Sequence, residues 1–134
     1  MTIMVQVVAA VLERDGNILI GQRTPRQSHP LKWEFPGGKV EPGETPEQAT
    51  VRELEEELAI RVRDLSEITR YQFRYPGRNP IELFFFKVSA WDGEVTNVIF
   101  HELKWAPKTE LSSYDFVEGD REFLGGLYTG SYGD

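Results

Sequence analysis

The chain has 134 residues, of which 40% are hydrophobic and 12% aromatic, which predicts one folded domain over residues 1–134 and excludes a disordered chain. It contains no cysteine, so disulfide frameworks and thiolate sites are excluded. Its formal net charge of −7 disfavours nucleic acid as a partner, because nucleic-acid-binding surfaces are basic.

The first predicted element is a strand over Thr2–Leu12 that carries apolar residues on both alternating faces, as is typical of a central strand. This stretch has no basic leader or small-residue cleavage site, and it is too short to cross a membrane. We therefore expect a cytoplasmic protein with no membrane partner. Residues 14–17 are typical of a hairpin turn into a second strand, Ile18–Gln22, and residues 24–31 of a loop.

A helix is predicted over residues 47–58, which lack glycine and proline and are rich in good helix formers. Thr45 is a suitable N-cap, Pro46 suits the first helical position, and Gln48 occupies the capping-box position. One stripe of this helix is expected to face the core, and it contains Val51, Leu54 and Leu58.

A different face of the helix carries the carboxylates Glu53, Glu56 and Glu57. At positions i, i+3 and i+4 they can converge on one cation, and like charges this close usually hold something positive. Ligands that are all oxygen favour Mg²⁺, Mn²⁺ or Ca²⁺ over zinc. The alternative is a solvated acidic face, and Glu55 is expected to be only solvated.

The rest of the chain is predicted as strands and one more helix. The predicted strands are Arg70–Tyr75, Ile81–Trp91 and Val95–Trp105, separated by turns at 76–80 and 91–94. A short helix is predicted over Leu111–Leu127, and residues 128–134 are expected to be loose. Two helices against a mixed sheet are an α/β arrangement.

The spacing around the acidic helix resembles the signature box of the Nudix hydrolases. It runs Gly38, five residues, Glu44, seven residues, and then Arg-Glu-Leu-Glu-Glu-Glu-Leu-Ala-Ile over residues 52–60. Ala59 stands where the family usually has glycine. A glycine there commonly supplies the left-handed C-cap residue, so either alanine costs about 1 kcal/mol in that conformation or the helix ends differently. In both cases the carboxylates are expected to stay intact.

Within the family, residues 33–39 and 43–49 are similar to the MutT type, and the resemblance covers most of the chain. It implies a Nudix fold, an α/β/α sandwich with a mixed curled sheet. It also implies Mg²⁺-dependent hydrolysis of nucleoside triphosphates to the monophosphate and pyrophosphate, with oxidised purine nucleotides such as 8-oxo-dGTP among the substrates. Mn²⁺ is an alternative metal, and the protein is expected to be a monomer or homodimer.

Two alternatives stay open. The first is a Nudix enzyme that acts on CTP, modified pyrimidine triphosphates, ADP-ribose or dinucleoside polyphosphates. The second is a catalytically silent nucleotide-binding domain, against which the complete set of carboxylates argues.

The resemblance implies a role for each residue of the metal site. Glu56 and Glu57 are expected to bind Mg²⁺ directly. Glu53 either binds it through water or takes a proton from the attacking water. The backbone carbonyl of Gly37 or Gly38 is expected to complete the shell, because glycine permits close approach.

Arg52 is expected to pair with Glu44 and to orient the carboxylates, and the alternative is an i,i+4 pair with Glu56. One further carboxylate is expected from a late loop, with Glu102 favoured over Glu94 as an extra ligand or base.

The substrate-binding residues are expected outside the box. Arg23 and Lys39 are candidate phosphate contacts, or they are merely solvated. Phe35 lies beside the base or belongs to the core. Arg78 is a candidate to reach across the site from its turn. Asp120 either reads the purine edge, by its place near the start of the last helix, or is an ordinary first-turn helix acid.

Overall fold

The computed structural model describes residues 4–129, which form seven strands, two α-helices and a 3₁₀-helix. The strands are β1 (Val5–Arg14), β2 (Asn17–Gln22), β3 (Trp33–Glu34), β4 (Gly37–Lys39), β5 (Arg61–Phe73), β6 (Ile81–Asp92) and β7 (Glu102–Pro107). The α-helices are α1 (Pro46–Leu58) and α2 (Glu118–Thr129), and the 3₁₀-helix is Lys108–Ser113. Thr2 and Ile3 of the predicted first strand and residues 130–134 of the predicted loose end lie outside the described residues.

The sheet is mixed and is built around β1. This strand pairs in parallel with β6 over eight residue pairs and antiparallel with the short β4. Beyond β6 the sheet continues with β5, which pairs antiparallel and with bulges. A hairpin joins β1 to β2, and β2 also pairs with β3 and β7. The predicted central position of the first strand is therefore confirmed.

One helix covers each face of the sheet, because the residues of β1 point alternately to both sides. The even-numbered residues from Val8 to Leu12 pack on the side of α1. Ala9 and Val11 belong to the opposite cluster, which contains Phe123 of α2. This arrangement confirms the predicted α/β/α sandwich with a mixed curled sheet.

The ends of α1 agree with the prediction. The Gln48 N–H donates to Thr45 Oγ1 at 3.1 Å and the Thr45 N–H donates to Gln48 Oε1 at 2.9 Å, which is a complete capping box. At the other end Ala59 has φ 57° and ψ 36°, and its N–H donates to Glu55 O at 3.1 Å. The left-handed C-cap that usually takes glycine is thus formed here by alanine.

The starts of two predicted strands were wrong by several residues. β5 begins at Arg61 rather than Arg70. The prediction missed the first half of this strand because it is a bulged edge strand with many exposed polar residues and has no clean apolar alternation. The last strand begins at Glu102 rather than Val95. The N–H groups of Thr96 and Val98 donate instead to the carbonyls of Leu58 and Glu57, so this segment caps α1 and cannot pair as a strand.

The predicted second helix, Leu111–Leu127, was also wrong. It divides into the 3₁₀-helix and α2, and α2 extends to Thr129, beyond the predicted end. Between them, Asp115 O accepts the Trp33 N–H and the Val117 N–H donates to Trp33 O, both at 2.9 Å. Pairing with β3 therefore interrupts the helix. Neither helix within residues 4–129 is long and apolar enough to span a bilayer.

Candidate active site

A cavity of about 350 Å³ lies beside β1 and β4 and is lined by residues of both α-helices. The glycine pair, Glu57 of α1 and Asp120 of α2 are among these residues. This volume is within the range of ligand sites. The surroundings of Glu57 and of Asp120 differ and are described in turn.

The glycine pair allows α1 to approach β4 closely. A Cβ atom on Gly38 would lie 2.6 Å from the carboxyl carbon of Glu53, and one on Gly37 would lie 1.9 Å from the carbonyl oxygen of Val8. The N–H of Gly37 donates to Glu57 Oε1 at 3.2 Å. Only residues without a side chain fit between the carboxylates of α1 and strand β1.

Glu53 and Glu57 lie side by side in this contact. Burial, together with a hydrogen bond to Glu53 and the charge of Glu53, raises the pKa of Glu57 to about 10. Two adjacent carboxyl groups cannot both ionise cheaply in a buried position, so this pair favours either a proton or a cation between them. Their oxygen-only chemistry fits a hard divalent cation.

Arg52 holds this cluster together with several hydrogen bonds. Its Nε and Nη2 donate to the two oxygens of Glu44 at 2.7 and 2.9 Å, and its Nη1 donates to Glu53 Oε1 at 2.9 Å. Nη2 also donates to the carbonyl of Lys39 at 3.0 Å. The predicted pair with Glu44 is present, and so is the alternative pair with Glu56, at 3.3 Å. The hydrogen bonds from Arg52, with a further one from the N–H of Glu41, lower the pKa of Glu44 to about 2.

Glu56 differs from its neighbours. Its side chain is 59% exposed, against 14% for Glu53, and its Oε2 faces Arg52. Among residues 4–129, no three acidic or histidine side chains converge as a metal cluster. The structure thus brings Glu53 and Glu57 together, while the roles of Glu56 and of the Gly37 and Gly38 carbonyls as ligands stay predictions.

Asp120 lines the same cavity. It is the third residue of α2 and is 5% exposed, and its Oδ2 accepts the Phe35 N–H at 3.3 Å. Burial, with the charge of Glu34 as a smaller cause, raises the pKa of Asp120 to about 8. Burial also raises the pKa of Glu34, whose Oε1 accepts from Arg23 at 2.9 Å. An ordinary first-turn acid would be solvated, so this environment favours a recognition role for Asp120.

Arg23 and Lys39, the candidate phosphate contacts, both line the cavity. Arg23 is engaged by its own loop, since Nε donates to Ser28 O at 2.7 Å and Nη2 donates to Ser28 Oγ at 3.1 Å. Lys39 is exposed. Lys39 is therefore the cation whose side chain is better placed to meet an anion.

Phe35 belongs to the core as well as to the cavity wall. Its side chain is buried, and its ring lies 5.3 Å from that of Phe116 and 5.5 Å from that of Phe123. The ring therefore positions β3 and β4 against α2. The backbone N–H of Phe35 is the group that meets Asp120.

Arg78 and Glu102 are not among the residues that line the cavity. Arg78 is exposed in the turn between β5 and β6. Glu102 opens strand β7 opposite Gln22, and its carboxylate is 3.9 Å from Lys104. Glu94 is exposed in the preceding segment and is likewise absent from the lining. The roles expected of these residues stay predictions.

Sequence reasoning missed Glu34, Tyr75, His29 and Ile99, which all line the cavity. Glu34 had a signal, because it alternates with the buried Trp33 and Phe35 and must point to the other side of the strand. The other three lie after β5 or in irregular segments, where no periodicity indicates direction.

A family model of the NUDIX domain matches residues 2–126. The chain belongs to the Nudix family. An 8-oxo-dGTP diphosphatase of Haemophilus influenzae is 40% identical over 122 residues, covering 90% of this chain and 89% of the relative. A CTP pyrophosphohydrolase of Escherichia coli is 38% identical over 121 residues, again covering 90% and 89%.

Solved structures show the same Nudix fold. The solution structure of the Escherichia coli ORF135 protein has a TM-score of 0.83 and 36% identity, covering 96% of this chain and 91% of that one. A MutT structure from work on Aliivibrio salmonicida and Vibrio cholerae has a TM-score of 0.79 and 30% identity, covering 95% and 98%. The prediction of a Nudix hydrolase of MutT type is confirmed.

Proposed function

We propose that this protein hydrolyses nucleoside triphosphates to the monophosphate and pyrophosphate with Mg²⁺ as cofactor. The observation that carries the proposal is a cavity lined both by Glu57, which lies beside Glu53, and by the buried Asp120. Such a site offers carboxyl groups that can hold a metal for the phosphates and a separate polar group for a base. The names of the relatives from Haemophilus influenzae and Escherichia coli support the same class of substrate.

Glu57, Glu53 and Glu56 would hold the metal, with a carbonyl of Gly37 or Gly38 completing its shell. When bound, Mg²⁺ neutralises phosphate charge and makes a bound water more acidic, and Mn²⁺ can supply the same chemistry. Glu53 is placed either to bind the metal through water or to accept a proton from the attacking water. Arg52 keeps Glu53 turned toward Glu57 by its Nη1 hydrogen bond of 2.9 Å.

The charge of the protein supports a requirement for metal. With a net charge of −7 and paired carboxyls in the site, an anionic triphosphate is repelled unless cations intervene. Lys39 and Arg23 are the proposed phosphate contacts within the cavity. Arg78 is proposed to reach across the site from its turn, although it does not line the cavity itself.

Asp120 is proposed to read the base. Because its pKa is raised, the Asp120 carboxyl group holds a proton near neutral pH, and it still keeps acceptor oxygens that suit the exocyclic amino group of a base. Guanine bases, including the oxidised form in 8-oxo-dGTP, and cytosine both carry such a group. CTP is therefore the second candidate substrate, favoured by the 38% identity to the CTP pyrophosphohydrolase.

The domain organisation, the localisation and the oligomeric state are proposed together with this function. The whole chain, residues 1–134, acts as one domain in the cytoplasm, as a monomer or homodimer. Its acidic charge supports action on free nucleotides rather than on nucleic acid.

The test is a panel of nucleotides with Mg²⁺ at alkaline pH, with pyrophosphate release as the readout. Glu53→Gln and Glu56→Gln are expected to lose several orders of magnitude in turnover with little effect on folding, because neither side chain is in the core. Glu55→Gln is the matched control, since Glu55 is exposed on the same helix. Near-normal turnover in the first two variants would refute the mechanism. Nucleotide binding without pyrophosphate release by the wild type would identify a silent binding domain.

A further inference from the structure

The start of α2 is held by two tyrosine hydroxyls. The N–H of Gly119 donates to the hydroxyl oxygen of Tyr75 at 3.0 Å. On the other side of the same residue, the hydroxyl of Tyr71 donates to the carbonyl of Gly119. The first N–H groups of a helix lack intrahelical partners, so the Tyr75 hydroxyl satisfies a donor that the helix leaves open.

The fit between Tyr75 and Gly119 is close. A Cβ atom on Gly119 would lie 2.9 Å from the hydroxyl oxygen of Tyr75 and 3.3 Å from Leu83 Cδ1. Gly119 has no side chain, and this is what permits the contact. The position of the Gly119 backbone is therefore set by the tyrosine.

Gly119 directly precedes Asp120, the carboxyl group that lines the cavity and is proposed to read the base. The Asp120 carboxyl group accepts one long hydrogen bond, from the N–H of Phe35 between β3 and β4, at 3.3 Å. The direction of this side chain therefore depends largely on the backbone of the first turn of α2. The ring of Tyr75 also lines the cavity, with its centroid 4.7 Å from that of His29 and 4.8 Å from that of Phe73.

We propose that Tyr75 is a positioning residue for base selection, which holds Asp120 in the direction that reads an amino-bearing base. This inference rests on the proposed function, and it adds a residue on β5's C-terminal side that acts through Gly119 rather than by touching the reacting atoms. The ring of Tyr75, supported by His29, forms the adjoining wall of the cavity. The substrate class it selects is a nucleoside triphosphate whose base carries an exocyclic amino group.

Tyr75→Phe tests the role, because it removes the hydroxyl and keeps the ring. The measured quantities are kcat and KM for two pairs of nucleotides that differ by an amino group, CTP against UTP and dGTP against dITP. For the amino-bearing member, kcat/KM is expected to fall about 10-fold, the size expected for a lost hydrogen bond, through KM with kcat nearly unchanged. For UTP and dITP little change in kcat/KM is expected. The ratio of kcat/KM for CTP to that for UTP, and the same ratio for dGTP to dITP, therefore both fall.

A double-mutant cycle separates positioning from a general structural effect. In the Asp120→Ala background, Tyr75→Phe is expected to change neither ratio further, because the carboxylate that it positions is absent. Gly119→Ala places a Cβ against the same hydroxyl and is expected to narrow the ratios in the same direction. Tyr114→Phe is the matched control, since Tyr114 lies outside the cavity and packs on Trp33.

Unchanged ratios in a folded Tyr75→Phe variant, or an equal loss of kcat on all four nucleotides, would overturn the inference. The preference within each nucleotide pair is also measured as the ratio of the two dissociation constants, by calorimetry. A wild type that binds CTP more tightly than UTP but releases no pyrophosphate refutes the proposed function alone, and the Kd ratios then still decide whether Tyr75 positions Asp120.

Discussion

Arg52 binds Glu44 through two hydrogen bonds, from Nε at 2.7 Å and from Nη2 at 2.9 Å. The bidentate pair ties helix α1 to the loop that precedes it. The same guanidinium donates to Glu53 and to the carbonyl of Lys39 at the end of β4. One side chain therefore sets the relative positions of the loop, the glycine strand and a carboxylate of the site.

Replacing Arg52 with lysine is expected to weaken metal binding. Lysine carries one ammonium group and cannot make the bidentate bond to Glu44 while also reaching Glu53. The Mg²⁺ concentration for half-maximal pyrophosphate release is expected to rise about 10- to 100-fold. Arg63→Lys is the control, because Arg63 makes an exposed pair with Asp92 at 3.2 Å. An unchanged Mg²⁺ dependence in Arg52→Lys would show that the network does not orient the site.

Gly38→Ala is expected to displace Glu53. The new Cβ would lie 2.6 Å from its carboxyl carbon, so the carboxylate or β4 must move. A displacement of this size in a catalytic group lowers turnover by about 100-fold. The control is Gly125→Ala in α2, where a Cβ meets nothing within 4 Å. Full activity in Gly38→Ala would mean that Glu53 does not need its position against β4.

Ala59→Gly is expected to stabilise the protein by about 1 kcal/mol, because Ala59 has a left-handed backbone that glycine adopts without strain. The free energy of unfolding is measured in urea, and pyrophosphate release is expected to stay at the wild-type level. Ala49→Gly is the control, and it is expected to change the free energy of unfolding in the opposite direction. Ala49 is buried inside the same helix, so glycine there is expected to destabilise by about 1 kcal/mol. Destabilisation by both changes would show that Ala59 is not strained.

The stability of the metal-free protein is expected to fall as pH rises, because of Glu57. Its pKa is raised from 4.5 to about 10, chiefly by burial, so between these values the folded protein holds a proton that the unfolded chain has released. The contribution of Glu57 is fully present below about pH 4.5 and is lost toward pH 10, by at most ~1.4 kcal/mol per pH unit.

Glu57→Gln removes this titration while keeping the shape of the side chain. Urea unfolding of metal-free protein between about pH 5 and pH 9 is expected to give a shallower decline for Glu57→Gln than for wild type. Glu55→Gln, on the exposed side of α1, is expected to keep the wild-type slope. Parallel curves for wild type and Glu57→Gln would contradict the raised pKa.

Helix α1 was predicted with its caps because the signals are local. Thr45, Pro46, Gln48 and Ala59 act on backbone groups within four residues of themselves, so their identity is enough. The 3₁₀-helix and α2 were predicted as one helix because the break between them comes from pairing with Trp33, far away in the chain. Local patterns cannot show such a contact.

The sequence by itself determined the family and the acidic helix, since the spacing along one helix and its adjoining loop carries both. It left open whether Arg52 pairs with Glu44 or with Glu56, and the structure contains both pairs. It could not separate Glu57 from Glu56, which are adjacent in the chain. Packing against Gly37 buries the first, and the second stays in solvent beside Arg52. The surroundings of Asp120 were decided only by the tertiary structure. There α2 and two distant segments bring Asp120 together with Glu34 and Tyr75, and the burial of Asp120 raises the pKa of its carboxyl group.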